Sequence, residues 1–159
     1  MLGPSRVRQL AACALALAAG ACAGDPEPAD GPSESGTSTA TVTKVTDGDT
    51  IRLSGLGRVR LIGMDTPELH GQAECFGAEA SEFVEGLLPP GTEVRYRLGT
   101  EERDRYGRAL AYVWLRDGRF LNRLLVEQGY AQPLTIPPNV DYADRFRADS
   151  RGAQGHRGY

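Results

Sequence analysis

Histidine, cysteine and tryptophan are nearly missing from this chain, at 2, 3 and 1 in 159 residues. Their scarcity excludes a zinc centre, because no Cys/His cluster has the spacing such a site needs. It also excludes a scaffold built on disulfides, since Cys13 and Cys22 lie near the start and Cys75 stands alone in the main body. Cys75 reads as a small packing residue, His70 as an exposed loop residue and His156 as part of a Gly-rich tail. Long apolar runs are lacking too: Leu10 to Ala19 is well short of the roughly 20 residues a spanning helix requires. Nor is there an excess of one charge. Setting aside Arg6 and Arg8, and the acids Asp25, Glu27, Asp30 and Glu34, leaves 16 of the 18 basic and 17 of the 21 acidic side chains. A near-neutral body excludes a protein that coats duplex DNA through bulk charge, but allows a catalyst with a local positive patch. No internal repeat is visible.

What is present divides into four parts. Residues 1–23 have the layout of a secretory signal: Arg6 and Arg8, a short apolar stretch, then small residues. Ala19-Gly20-Ala21-Cys22 resembles a lipobox in which Cys22 would be acylated, while Ala21-Cys22-Ala23 would equally suit an ordinary signal peptidase. Residues 24–40 hold no large apolar side chain and read as a flexible acidic linker. Residues 41–150 form the expected folded domain, and 151–159 a flexible tail. Export is thus expected, either to a lipid anchor at the membrane or to the exterior, as a monomer.

Within the domain, Thr41 to Thr46 alternates Thr with β-branched apolar residues and predicts a strand. Asp47-Gly48-Asp49 is a turn, Thr50 to Leu53 resumes the alternation, and Arg58 to Gly63 completes a three-strand meander. Pro67 lacks a donor and puts Asp65 to Glu68 at a strand exit. Ala80, Phe83, Val84 and Leu87 have helical spacing, stopped by Pro89-Pro90-Gly91. Thr92 to Leu98 predicts a strand, as does Ala109 to Leu115, whose continuous apolar character implies burial on both faces. Phe120 to Gln128 predicts a second helix with Leu121, Leu124 and Leu125 inward, and Tyr142 with Phe146 a third. Five short strands with interspersed helices imply an α+β, mainly β fold: a five-stranded, OB-fold-like barrel with about three packed helices.

Three segments concentrate the chemistry: Asp47-Gly48-Asp49-Thr50, then Arg60 with Asp65-Thr66-Pro67-Glu68, then Asp104-Arg105-Tyr106-Gly107-Arg108. Acids alone suggest a cation site and arginines alone an anion site. Both in one small domain point to phosphoryl transfer, with a hard cation on oxygen ligands and guanidinium forks on phosphate oxygens. An EF-hand is excluded by spacing, because counting Asp47 as position 1 puts Ile51 at position 5 and Arg58 at position 12, where an acid is needed. Taken singly, the first segment could be a hairpin turn and the second a helix cap.

In their order and spacing, from about Val42 to Phe146, these motifs resemble the staphylococcal nuclease (thermonuclease) family. The resemblance implies a calcium-dependent phosphodiesterase acting on DNA and RNA. It implies that Asp49 and Asp65 ligate Ca2+ with the Thr66 backbone carbonyl, with Asp47 behind them. Glu68 would orient or deprotonate the attacking water, Arg60 and Arg108 would grip the scissile phosphate, and Arg105 and Tyr106 would contact the neighbouring one. The alternative is a noncatalytic nucleic-acid-binding barrel. Two departures stand out: Gln132 to Pro138 lacks the tyrosines on which the family's type member stacks a base, and Gly152, Gly155 and Gly158 imply that the last helix ends early.

Overall fold

A computed structural model describes residues 36–67 and 77–157. Residues 1–35, which carry the expected signal, Cys22 and most of the expected linker, therefore lie outside the described residues, as do Glu68, His70 and Cys75.

Five strands close a barrel in the order β1 (Ser38–Val45), β2 (Thr50–Leu53), β3 (Gly57–Leu61), β6 (Ala109–Leu115) and β5 (Glu93–Arg103). The expected meander is there: β1–β2 and β2–β3 are antiparallel, with Val45 opposite Ile51 and Thr50 opposite Arg60. Closure comes from β5, which pairs antiparallel with both β1 and β6. The seam between β3 and β6 is parallel, with Arg60 opposite Leu110. Two residues, Met64–Asp65 (β4), pair with Gln132–Pro133 (β7) in a separate two-stranded sheet. The helices are α1 (Gly77–Leu87), α2 (Leu121–Glu127) and α3 (Ala143–Arg157). The chain is a mixed α+β barrel, as its sequence pattern implies.

Alternation puts Val42, Ile51, Leu53, Val59, Leu61 and Val94 in the core, each 2% exposed or less. All seven residues of β6 are buried. Its other face is covered by aromatics: Trp114 stacks on Phe120 with centroids 4.7 Å apart, and Tyr112 meets Tyr142 edge-on at 4.9 Å. Phe146 of α3 is fully buried and lies so close to Gly63 that a Cβ there would fall 2.4 Å from its ring. Gly63 also has φ +84°, so both space and backbone require glycine.

The boundaries at the two ends of the domain differ from the sequence expectation. The first strand starts at Ser38 rather than Thr41, because Ser38 and Thr39 pair with Tyr96 and Arg95 on the long β5. The third helix continues past residue 150 to Arg157, so 151–157 is not a coil tail. An interior glycine costs about 1 kcal/mol, and Phe146 together with the Arg123–Asp149 pair, Nε to Oδ2 at 2.9 Å, fastens α3 to α2 strongly enough to outweigh it.

Candidate active site

The turn after β1 is tight. The amides of Thr46 and Asp47 both donate to the Thr50 carbonyl, at 2.8 and 3.3 Å. The Asp47 carboxylate accepts from the Asp49 amide at 3.1 Å, which fixes the turn from within. Gly48 is needed for close approach, since a Cβ would come 2.9 Å from Ala80 of α1 and 3.0 Å from Thr66 Oγ1. The Leu61 amide donates to the Asp49 carbonyl at 2.8 Å and draws the turn onto β3, which carries Arg60.

Asp49 is 3% exposed and fully engaged. Its Oδ1 accepts from Arg60 Nη1 at 2.8 Å and Thr50 Oγ1 at 3.0 Å, while Oδ2 accepts from Thr66 Oγ1 at 3.2 Å. The second fork of Arg60, Nη2, donates to Asp65 Oδ1. One guanidinium thus holds two carboxylates together, with Asp47 adjoining, and negative charge is left in excess. Burial pushes the Asp49 carboxyl up to about 6, although Arg60 pulls it down; Asp47 adds to the rise.

That rise has a measurable consequence. A carboxyl raised in the folded state contributes stability below its ordinary value of 3.8, and this is lost as pH climbs through about 6. In chelated buffer, the unfolding free energy of the native chain minus that of Asp49→Asn should fall by about 2–3 kcal/mol between pH 4 and 7, given 1.36 kcal/mol per unit. Denaturant titrations at several pH values check this, and a constant difference would refute it. The fixed cost of an asparagine amide among these donors cancels in the comparison.

A second loop joins β5 to β6. Asp104 organises it: Oδ1 accepts from the amides of Tyr106 and Arg108, both at 2.9 Å, and Oδ2 from Arg108 Nε at 2.7 Å. These bonds hold the Asp104 carboxyl below the usual range, although partial burial works the other way. Arg108 keeps its Nη atoms without an ion-pair partner among the described residues. Tyr106 is 58% exposed, with the Arg105 and Arg108 guanidinium carbons 4.8 and 5.7 Å from its ring centre.

This loop and Arg60 of β3 meet at a cavity of about 580 Å³ lined by Arg60, Arg105, Tyr106 and Arg108 together with Leu134 and Ile136. The structure therefore brings together Asp47, Asp49, Arg60, Asp65 and Thr66, and opens Arg60 onto the same cavity as Arg105, Tyr106 and Arg108. Thr50 and the organising role of Asp104 were not singled out from the sequence. The Asp-x-x-x-Arg spacing in 104–108 was the available signal for the second. Where tyrosines were looked for, the cavity has exposed aliphatic Leu134 and Ile136.

A model of the family described as "Staphylococcal nuclease homologue" matches residues 58–158. The chain belongs to this family. The thermonuclease of Staphylococcus hyicus is 39% identical over 119 residues, covering 71% of this chain and 69% of that protein. That of Staphylococcus intermedius is 40% identical over 119 residues, with 71% and 70% covered. Endonuclease YncB of Bacillus subtilis is 34% identical over 125 residues, covering 74% of this chain and 58% of that protein. The family match takes in Arg60, Asp65, Thr66, Arg105, Tyr106 and Arg108, and begins after Asp47 and Asp49.

The donor set suits a hard cation. Among the described residues no three His, Cys, Asp or Glu side chains gather as a ready-made metal cluster. Two carboxylates converge on a single guanidinium, however, and an oxygen-liganded cation completed by a backbone carbonyl, water and substrate fits that arrangement.

Proposed function

We propose that this family member is a metal-dependent nuclease hydrolysing phosphodiester bonds of DNA and RNA with little sequence specificity. The observation that carries this reading is the pair Arg60 and Arg108 on one cavity, the first bound to two carboxylates and the second with Nη atoms that have no ion-pair partner among the described residues. Relatives named thermonuclease and endonuclease support it.

In this mechanism Asp49, Asp65 and the Thr66 carbonyl would hold the cation, Ca2+ being the ion the family resemblance implies, with Asp47 bracing the turn behind them. When bound, the cation supplies positive charge that offsets the phosphate and acidifies water. Arg108 presents its Nη fork to the phosphate oxygens and stabilises charge that grows as water attacks phosphorus. Arg60, lining the same cavity, shares that task. Arg105 and Tyr106, at the rim, contact the next phosphate along the strand. Glu68 orients the water and takes its proton as the new P–O bond forms and the old one breaks, the departing oxygen being protonated by solvent.

Incubating the purified chain with single-stranded DNA and with RNA, in calcium, magnesium or chelator, tests the reading. Cleavage of both polymers only with a divalent ion is the expected result. Binding without turnover under every condition would overturn it and leave a noncatalytic barrel. The same ion should raise the melting temperature by more at pH 7 than at pH 5, because Asp49 must lose its proton to bind it.

For location, we infer export with Cys22 as a lipid anchor at the membrane. Support comes from the signal layout and the acidic linker that follows. Mass analysis of the mature N-terminus decides it, and an unmodified chain starting at Gly24 would rule the anchor out.

A further inference from the structure

Three cations stand side by side on the outer surface of the barrel. Lys44 of β1 is opposite Arg52 of β2, and Arg52 is opposite Arg58 of β3. All three are exposed, and none has an acidic partner among the described residues. Like charges directly across a ladder are unfavourable, so stability alone gives no reason for such a row.

A backbone irregularity puts Lys44 there. Strict alternation from buried Val42 would turn Lys44 inward, but the register shifts between Val42 and Lys44. Thr43 and Lys44 are consequently both exposed, before Val45 returns to the core. Such bulges re-aim side chains. The row is also continuous with the catalytic cavity. Arg58 lies two residues from Arg60 on the same face of β3, and its Nη2 donates to the Tyr106 carbonyl at 3.2 Å. Neighbouring strands are about 4.8 Å apart, so the row extends roughly 10 Å from β3 to β1.

We propose that Lys44, Arg52 and Arg58 form a track for the backbone of a polynucleotide whose scissile bond lies in the cavity. The proposal rests on the nuclease reading and adds that the preferred substrate is a polymer extending over the meander. Three exposed cations without an acidic partner among the described residues thus stand where a phosphate backbone would cross. Each contact acts without regard to sequence and releases counterions.

The test uses a Lys44→Gln/Arg52→Gln variant of the whole chain, with Lys44→Gln alone as a milder control. Anisotropy of a fluorescent single-stranded 15-mer is measured in chelator, so that no turnover is needed. Losing two phosphate contacts should reduce the slope of log affinity against log salt by about 1.4 and weaken binding about 10–30-fold at 0.1 M salt. Hydrolysis of a small p-nitrophenyl phosphodiester, which cannot reach β1, should keep its kcat and KM, while KM for long DNA rises. The melting temperature should hold or increase, since like-charge repulsion is relieved. An unchanged salt slope and oligonucleotide affinity would overturn the track. So would a variant that loses binding only to anionic phosphatidylglycerol vesicles, which would make the row a membrane contact. Failure of the nuclease reading looks different: the native chain would hydrolyse neither substrate, yet the variant's binding loss would still be read.

Discussion

Replacing Arg108 with alanine is expected to lower kcat for DNA cleavage by about 10²–10³-fold, the usual cost of losing one charge-stabilising donor. The fold should barely notice. Arg108 lines the cavity, its one ion-pair partner among the described residues is Asp104, and that carboxylate keeps its bonds from two backbone amides. Arg108→Lys should recover little, because a point charge cannot offer two parallel donors to a phosphate. Arg60→Ala makes the informative contrast. It should reduce activity as severely and also destabilise the protein, since Asp49 would be buried without its counter-charge. Steady-state kinetics beside thermal melts separate the two. Activity in Arg108→Ala within threefold of the native chain would remove Arg108 from the catalytic set.

Asn122→Ala should cost about 3–5 kcal/mol of stability, a large part of what a small domain has. The side chain is fully buried on α2. Its Oδ1 accepts from the Val113 amide at 2.9 Å, and its Nδ2 donates to the carbonyls of Ile62 at 2.9 Å and Ala111 at 3.3 Å. Alanine would leave these backbone groups dry and poorly paired, each costing roughly 1–3 kcal/mol. Because Ile62 leads straight into Gly63, Met64 and Asp65, the loss would also loosen one carboxylate of the site. Urea denaturation measures the first effect. Weakened metal-dependent stabilisation, with the barrel still folded at low temperature, measures the second. A cost under 1 kcal/mol would show that water or a rearranged α2 takes over these bonds.

The strands of the barrel were legible where side chains alternate between core and solvent, as in Thr50 to Leu53. The buried β6 was legible from its unbroken apolar run. β5 was read as ending at Leu98 but continues to Arg103. Its extension, Gly99 to Arg103, is polar and held by pairing rather than burial: Asn139 Oδ1 accepts from the Glu101 amide at 2.9 Å and Nδ2 returns a bond to its carbonyl at 3.1 Å. The strands β4 and β7 have two residues each, too short for any period to register. The third helix was read as stopping at its glycines, because local propensity cannot anticipate anchoring by Phe146 and Asp149.

By itself, the sequence determined the chemistry on offer: which acids, which arginines and which turns, since residue type and local spacing are properties of the chain. It also determined the barrel class, because hydrophobic alternation is a local record of burial. Only the tertiary structure decided that Arg60 holds Asp49 and Asp65 at once, and that Arg108 opens onto the same cavity. It alone aligned Lys44, Arg52 and Arg58 across three strands. Those facts depend on register, on a bulge in β1 and on a parallel seam that sets Arg60 beside Leu110, just after Arg108. Register is set by pairing and packing summed over the whole barrel, and no short window of sequence carries that sum.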